Sequence, residues 1–312
     1  MIHKLELDKK NLHGSFSKDY EPILTIDSGD TVQLKTLDIQ WGYSASKHEE
    51  REIFKSRVNE ETPKHPMIGP IAIRNAKPGM VLEVRVNEMV PGWYGRNWAG
   101  GIQNWQNEKL GLVDAEKLEV DWELEATTMT GSAKIGGQTF HVGLSPFMGL
   151  LGVAPEEEGV HSTSPPRYCG GNIDCKELVR GSSLFLPISV EGALFSVGDG
   201  HALQGDGESS GTAIECPMDL VDLTLSVRDD MQLKNPIANT PAGWITFGFN
   251  EDLNEAAAVA LDEMVMLMQQ FYGIEKVEAM ALASVAVDLR VTQVVNGVKG
   301  VHAILPHGVI RK

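Results

Sequence analysis

The chain has 312 residues, 42% of them hydrophobic, and a formal charge of −16 from 43 acidic and 27 basic side chains. So acidic a balance, without a Lys or Arg cluster, argues against a nucleic-acid partner, since phosphate binding depends on such clusters. No run of roughly 18 apolar residues suits a membrane helix, so no membrane partner is expected. Cys169, Cys175 and Cys216 are odd in number and form no CxxC pair, and MIHKLELDKKN lacks the apolar core of a secretion signal. A disulfide framework is not expected, and the cytoplasm is the expected compartment.

The first third reads as strands joined by turns: PILTI, TVQLKTLDI, IGPIAI and MVLEVRVNEMV all show β-type alternation or β-branched content. Asp38 closes one of these strands and His65 precedes the Gly69-Pro70 turn, so both stand at sheet margins, where sites tend to lie. A charged excursion near 44–64, SASKHEEREIFKSRVNEETP, has no apolar stripe and reads as a solvated helix or a loop. PGWYGRNWAGGIQNW then sets Trp93, Trp98 and Trp105 among glycines and asparagines, to wall a pocket or to cover a sheet edge or subunit contact. Further short strands are expected from 120 to 145, with Gly136-Gly137 as a hairpin signal. GLLGVAPEEEGVHSTSPPRYCGG reads as a loop rimming a site.

The most informative stretch runs from Gly170 to Glu215. It opens GGNID, passes through LVRGSSLFLPISVEGALFSV and ends GDGHALQGDGESSGTAIE. The apolar segment reads as two paired strands, which would bring Asp174 back beside residues 199–208. Glycines at 198, 200, 205, 207 and 211 suit positive φ and close approach, so the side chains among them can converge. Asp174, Asp199 and His201 are oxygen and nitrogen donors of the kind that hold zinc or another divalent ion. Glu208 and Glu215 are acids long enough to reach past such ligands and transfer a proton.

After this stretch, MDLVDLTLSVRDD and WITFGFN read as strands. A helical segment near 251–286 follows. Its first helix carries Leu253, Ala257, Ala260, Leu261, Met264, Leu267, Met268 and Phe271 at three- and four-residue spacing, with Asn250 or Asn254 as cap and Gly273 as stop. IEKVEAMALASVA reads as a second helix, and VDLRVTQVV with VKGVHAIL as a hairpin across Asn296-Gly297. The expectation is one β-rich α+β domain spanning 1–312, with a small C-terminal helical layer.

GGNID with LFLPISVEGALFSVGDGHALQGDGE and TAIE resembles the acetamidase/formamidase family. SGDTVQLKTLD, HPMIGPIAIRNAKPGMVLEV, GLLGVAP and VDLRVTQVVNGVKGVHAILP extend the resemblance along nearly the whole chain. It implies a mainly β body, barrel or sandwich-like, and hydrolysis of a small aliphatic amide, formamide or acetamide. The expected partners are that small molecule and further copies of the chain, as a dimer or higher oligomer.

In this reading Asp174, His201 and Asp199 hold a divalent cation, zinc ahead of calcium because calcium sites rarely use histidine. Glu208, Glu215 and Asp38 are the catalytic carboxylates, and Asn172 and His65 contact substrate. Two other classes compete: a thiol amidase using Cys175, and a non-catalytic protein whose Gly- and Asp-rich loop binds calcium.

Overall fold

The computed structural model describes residues 1–60 and 64–311, so residues 61–63 of the charged excursion lie outside the described residues. A nine-stranded sheet forms one layer. Its order is Ile2–Leu5, Asp30–Leu34, Met218–Arg228, Val81–Pro91, Ser183–Pro187, Ile237–Thr240, Gly243–Asn250, Lys299–Pro306 and Asp288–Gln293. All neighbours are antiparallel except the first two.

A second sheet runs Gly170–Asn172, Phe147–Gly152, Phe195–His201, Met67–Ile73 and Leu12–His13, with Leu24–Ile26 parallel to Met67–Ile73. Its three central strands are buried along their whole length; the near-continuous apolar sequences of Met67–Ile73 and Phe147–Gly152 allow this, whereas Phe195–His201 also buries Ser196, Asp199 and His201. Val84, Val86 and Leu223 of the first sheet share one core with Ile68, Ile71, Phe195 and Val197 of the second. The body is therefore sandwich-like, and no closed barrel forms among the described residues. A four-stranded sheet, Tyr94–Ala99, Leu118–Glu125, Thr130–Ile135 and Gln138–Gly143, flanks it.

The helical layer consists of Leu253–Tyr272 and Lys276–Ala286. Ala256, Ala260, Met264, Val265 and Met268 face inward at helical spacing, and the first helix packs on Gly243–Asn250 and Lys299–Pro306. Its N-cap is Asp252, not Asn250 or Asn254: the Asp252 carboxylate accepts from the amides of Asn254 and Glu255. Gly273 closes the helix in the left-handed region. No helix among the described residues is long and apolar enough to cross a membrane.

Three local readings need correction. Ser183–Pro187 and Phe195–His201 do not pair with each other: they belong to different sheets. The segment containing GLLGVAP is no rim loop at its start, because Phe147–Gly152 is a buried strand between Gly170–Asn172 and Phe195–His201. Within the charged excursion the described residues form no helix. Glu52–Ile53 pairs with Gly42–Tyr43, and Arg51 turns inward to Asp38.

Candidate active site

Asp199 and His201 are not in a loop; they end the strand Phe195–His201, two residues apart and therefore on one face of the sheet. Gly200 between them and Gly198 before them have ordinary φ and serve close approach. A β-carbon at Gly198 would stand 2.2 Å from the Pro66 carbonyl oxygen, and one at Gly200 2.6 Å from that of Cys216. Asp174 follows Gly170–Asn172 and arrives beside Asp199 through the intervening strand Phe147–Gly152. That strand passes under the cluster at Gly149. A β-carbon there would lie 2.6 Å from Asp199 Oδ2, 2.7 Å from Asp174 Oδ1 and 2.7 Å from His201 Cε1, so only glycine lets the three side chains meet.

Donor atoms of Asp174, Asp199 and His201 lie within 4.8 Å of one another, and so do those of His201, Glu208 and Glu215. All five residues are buried. His201 is common to both groups: its Nε2 is 3.3 Å from Asp199 Oδ2 and 3.2 Å from Glu215 Oε2. Neither contact is aligned as a hydrogen bond, and His201 Nε2, Asp174 Oδ1, Asp199 Oδ1, Glu208 Oε2 and Glu215 Oε2 are all buried without a hydrogen-bond partner. Among the described residues, no Lys or Arg pairs with any of these four carboxylates.

Four buried carboxylates around one imidazole are costly unless a cation or protons neutralise them. Burial pushes Asp174 up to about 8, opposed by His201 and helped by Asp199 and Glu215. Burial likewise holds Glu208 well above the ordinary carboxylate range, with the Asp174 charge adding to it, and raises Glu215 against the pull of His201. Asp199 goes the other way, because His201 and His65 outweigh its burial and bring it down to about 2. Burial disfavours the imidazolium of His201, but Glu215 and Asp199 override this and raise its pKa well above the usual value. Several atoms converging on a common point without bonding one another is the arrangement of a cation's ligands. These residues fit a divalent ion.

The other sequence candidates are Asn172, His65 and Asp38. Asn172 is buried, donates from Nδ2 to the Ser164 carbonyl at 3.3 Å and leaves Oδ1 without a partner. His65 is half-buried, with Nδ1 2.9 Å from Thr163 Oγ1. Asp38 stands apart from the cluster, on the wall of a cleft of about 950 Å³ whose lining includes Trp93, Tyr94, Arg96, Trp98, Trp122 and Glu215. Two of the three segment tryptophans thus wall a cleft. Trp105 does not: it begins the short helix Trp105–Leu110 and donates to the Val294 carbonyl. Glu215 belongs to both cleft and cluster, and its main chain exchanges hydrogen bonds of 2.8 and 2.9 Å with Arg96. Cys175 is wholly buried, and burial pushes its thiol up, away from the reactive thiolate.

Sequence reasoning missed Gly149, Gln204 and Asn296. Gln204 Nε2 donates to the Asp174 carbonyl at 2.8 Å, and Asn296 Nδ2 to Asp174 Oδ2 at 2.7 Å. All three stand inside the motifs that carry the family resemblance, GLLGVAP, GDGHALQGDGE and VDLRVTQVVNGVKGVHAILP, but only Asn296 has a local signal of its own, as part of an Asn-Gly hairpin turn.

The acetamidase/formamidase family model matches residues 2–163 and 156–310. The chain belongs to the acetamidase/formamidase family. Membership makes it an amidase, a hydrolase of carbon–nitrogen bonds other than peptide bonds. Its fold superposes on that of an acetamidase from Bacillus halodurans with a TM-score of 0.81 at 27% identity, covering 97% of each chain. An acetamidase from Yersinia enterocolitica gives a TM-score of 0.82 at 25% identity, over 100% of this chain and 94% of that one. A formamidase of Methylophilus methylotrophus is 26% identical over 264 residues, which span 66% of this chain and 63% of that protein. Family likeness thus extends across both sheets and the helical layer.

Proposed function

We propose that this family member hydrolyses a small aliphatic amide, such as formamide or acetamide, to the carboxylate and ammonia, with a divalent cation held by Asp174, Asp199 and His201. The observation that carries the reading is the set of orphaned buried donor atoms around His201 in a chain of an amidase family. A bound cation would supply polarisation of the amide carbonyl and a lowered pKa for water. The imidazole donor favours zinc over calcium.

The chain's own groups do the rest. Glu215 is tethered at Oε1 by the Ala213 amide, 3.0 Å away, which leaves Oε2 facing the cluster. Glu208 Oε2 is equally free. Burial raises the pKa of both acids, which makes the carboxylate a better base to take a proton from water, and the carboxyl so formed can hand that proton to the leaving amine. The free Oδ1 of Asn172 is suited to accept an amide N–H of the substrate, and His65, fixed through Nδ1, keeps Nε2 for its oxygen. Residues drawn from Leu12 to Ile304 share the main core, which supports one domain, and the three free, buried cysteines suit a reducing cytoplasm. We extend the reading to a homo-oligomer on family grounds.

The test is ammonia release by the purified protein across formamide, acetamide and propionamide, alongside its metal content. Release from at least one of them with about one bound zinc per chain is expected. No release from any short amide would overturn the substrate and make a cyclic amide the next candidate.

A further inference from the structure

We infer that Asn296, at the turn of the C-terminal hairpin, is a positioning residue that fixes the carboxylate of Asp174. The inference rests on the reading of Asp174 as a cation ligand and goes beyond it, because Asn296 is not itself one of the converging donor groups and hydrogen-bonds, among the cluster, to Asp174 alone. Asp174 has a φ of 55°, a conformation that a non-glycine residue keeps only when its surroundings hold it. Three contacts do so. Its amide donates to the Gly149 carbonyl at 3.1 Å, its carbonyl accepts from Gln204 Nε2, and its Oδ2 accepts from Asn296 Nδ2 at 2.7 Å. The first two fix the main chain; only Asn296 fixes the side chain. With Oδ2 engaged, Oδ1 is the oxygen left unpartnered in the cluster.

Asn296 is itself held in place. The fully buried Gln293 staples the turn: its Oε1 accepts from the amides of Val295 at 2.9 Å and Asn296 at 3.2 Å, and its Nε2 donates to the Val298 carbonyl at 2.7 Å. The same turn grips the loop that carries Glu208. Gly207 donates to the Thr292 carbonyl at 3.0 Å, and Val294 to the Gly207 carbonyl at 3.2 Å. One short segment therefore sets the carboxylate of Asp174 and the main chain next to Glu208. An amide suits the task chemically: it donates to one oxygen without bringing a charge that would compete with a cation.

Asn296→Asp separates donation from turn shape, because Asp is isosteric with Asn and tolerated in turns but cannot donate as a carboxylate. Asn296→Ala serves as a second variant, and the melting temperature of each reports folding. Ion affinity is read by challenging the purified, zinc-loaded protein with a chromophoric chelator. Loss of the donor should weaken zinc retention by about 10- to 100-fold in both variants, the usual effect of removing a group that orients a ligand. Wild-type retention in Asn296→Asp would overturn the proposal. Should the wild type release ammonia yet bind no zinc, the reading of Asp174 as a ligand fails separately. The positioning role is then judged on kcat: a loss of about tenfold or more with KM unchanged in Asn296→Asp upholds it, and wild-type kcat overturns it.

Discussion

Asp38 and the cluster around His201 are both buried acid sites, and they are built in opposite ways. Asp38 receives Arg51 through Nε at 2.7 Å and Nη2 at 2.6 Å, the Tyr94 hydroxyl at 2.8 Å, and the main-chain amides of Gln40 and Gly42 at 2.9 and 3.0 Å. Its charge and lone pairs are met by the protein. The cluster of Asp174, Asp199, Glu208 and Glu215 has one imidazole between four carboxylates, and each of the four keeps an unpartnered oxygen. A buried acid that the fold completes braces the fold; one that it leaves incomplete is available to a ligand. Sequence alone cannot separate the two, because the side chains that complete Asp38, those of Arg51 and Tyr94, lie 13 and 56 residues away along the chain.

The strongest way to break this comparison is to remove ligands. Asp174→Ala and His201→Ala should each lose bound metal and ammonia release together, as measured by elemental analysis and rate on the same samples. Full metal stoichiometry in both would refute the ligand assignment. Glu208→Gln and Glu215→Gln come next: the residue that transfers the proton should lose about 10²-fold or more in kcat while its metal content hardly changes. If both variants turn over near normally, the base lies elsewhere, and Asp38 becomes the leading candidate despite its full set of donors.

Asp38→Asn tests the other side of the contrast. It removes the charge that Arg51 faces and should cost about 2 kcal/mol in denaturant melts, the scale of a hydrogen bond to a charged group, with metal content intact. Loss of metal on this change would erase the distinction between the two sites.

The smallest effect concerns His13, a buried group that is complete when neutral: its Nδ1 is 2.7 Å from the Ser15 carbonyl oxygen and its Nε2 3.1 Å from Ser196 Oγ. Burial lowers its pKa to about 4. The unfolded chain therefore takes up this proton first. The stability present above about pH 6.5 drains away as the pH falls toward 4, by at most about 1.4 kcal/mol per pH unit. Unfolding free energies at pH 7, 6 and 5 should show a shallower pH slope for His13→Asn than for the wild type. Equal slopes would remove His13 from the account.

The strands and the first helix were legible because their signals are local. Alternation in 218–230, the glycine pair at 136–137 and the three- and four-residue spacing from Leu253 each act within a few residues, and the structure has Met218–Arg228, the hairpin and Leu253–Tyr272 there. The composition of the site was legible for a related reason, since carboxylates and a histidine among glycines stand out in any stretch of chain. Its assembly was not. Asp174 reaches Asp199 through Phe147–Gly152, a strand that reads as part of a loop, and sheet order depends on contacts far apart in sequence. The two uses of glycine were legible only together: Gly207 and Gly211 have positive φ, whereas Gly198 and Gly200 serve close approach. Asn296 lies 122 residues from the carboxylate it holds, and no spacing rule connects them.

Three of the four cluster acids themselves have left-handed backbone: φ is 55° at Asp174, 62° at Asp199 and 47° at Glu208. Each such residue costs on the order of 1–3 kcal/mol, and here the strain falls on side chains whose charges already repel. The fold and the chemistry pull against each other at these three positions. Glycine at any of them would relax the main chain and remove a carboxylate in one step. A search for heat-resistant variants guided by melting temperature alone would therefore be drawn to the residues proposed to carry hydrolysis and, on that proposal, would return sturdier proteins with no activity.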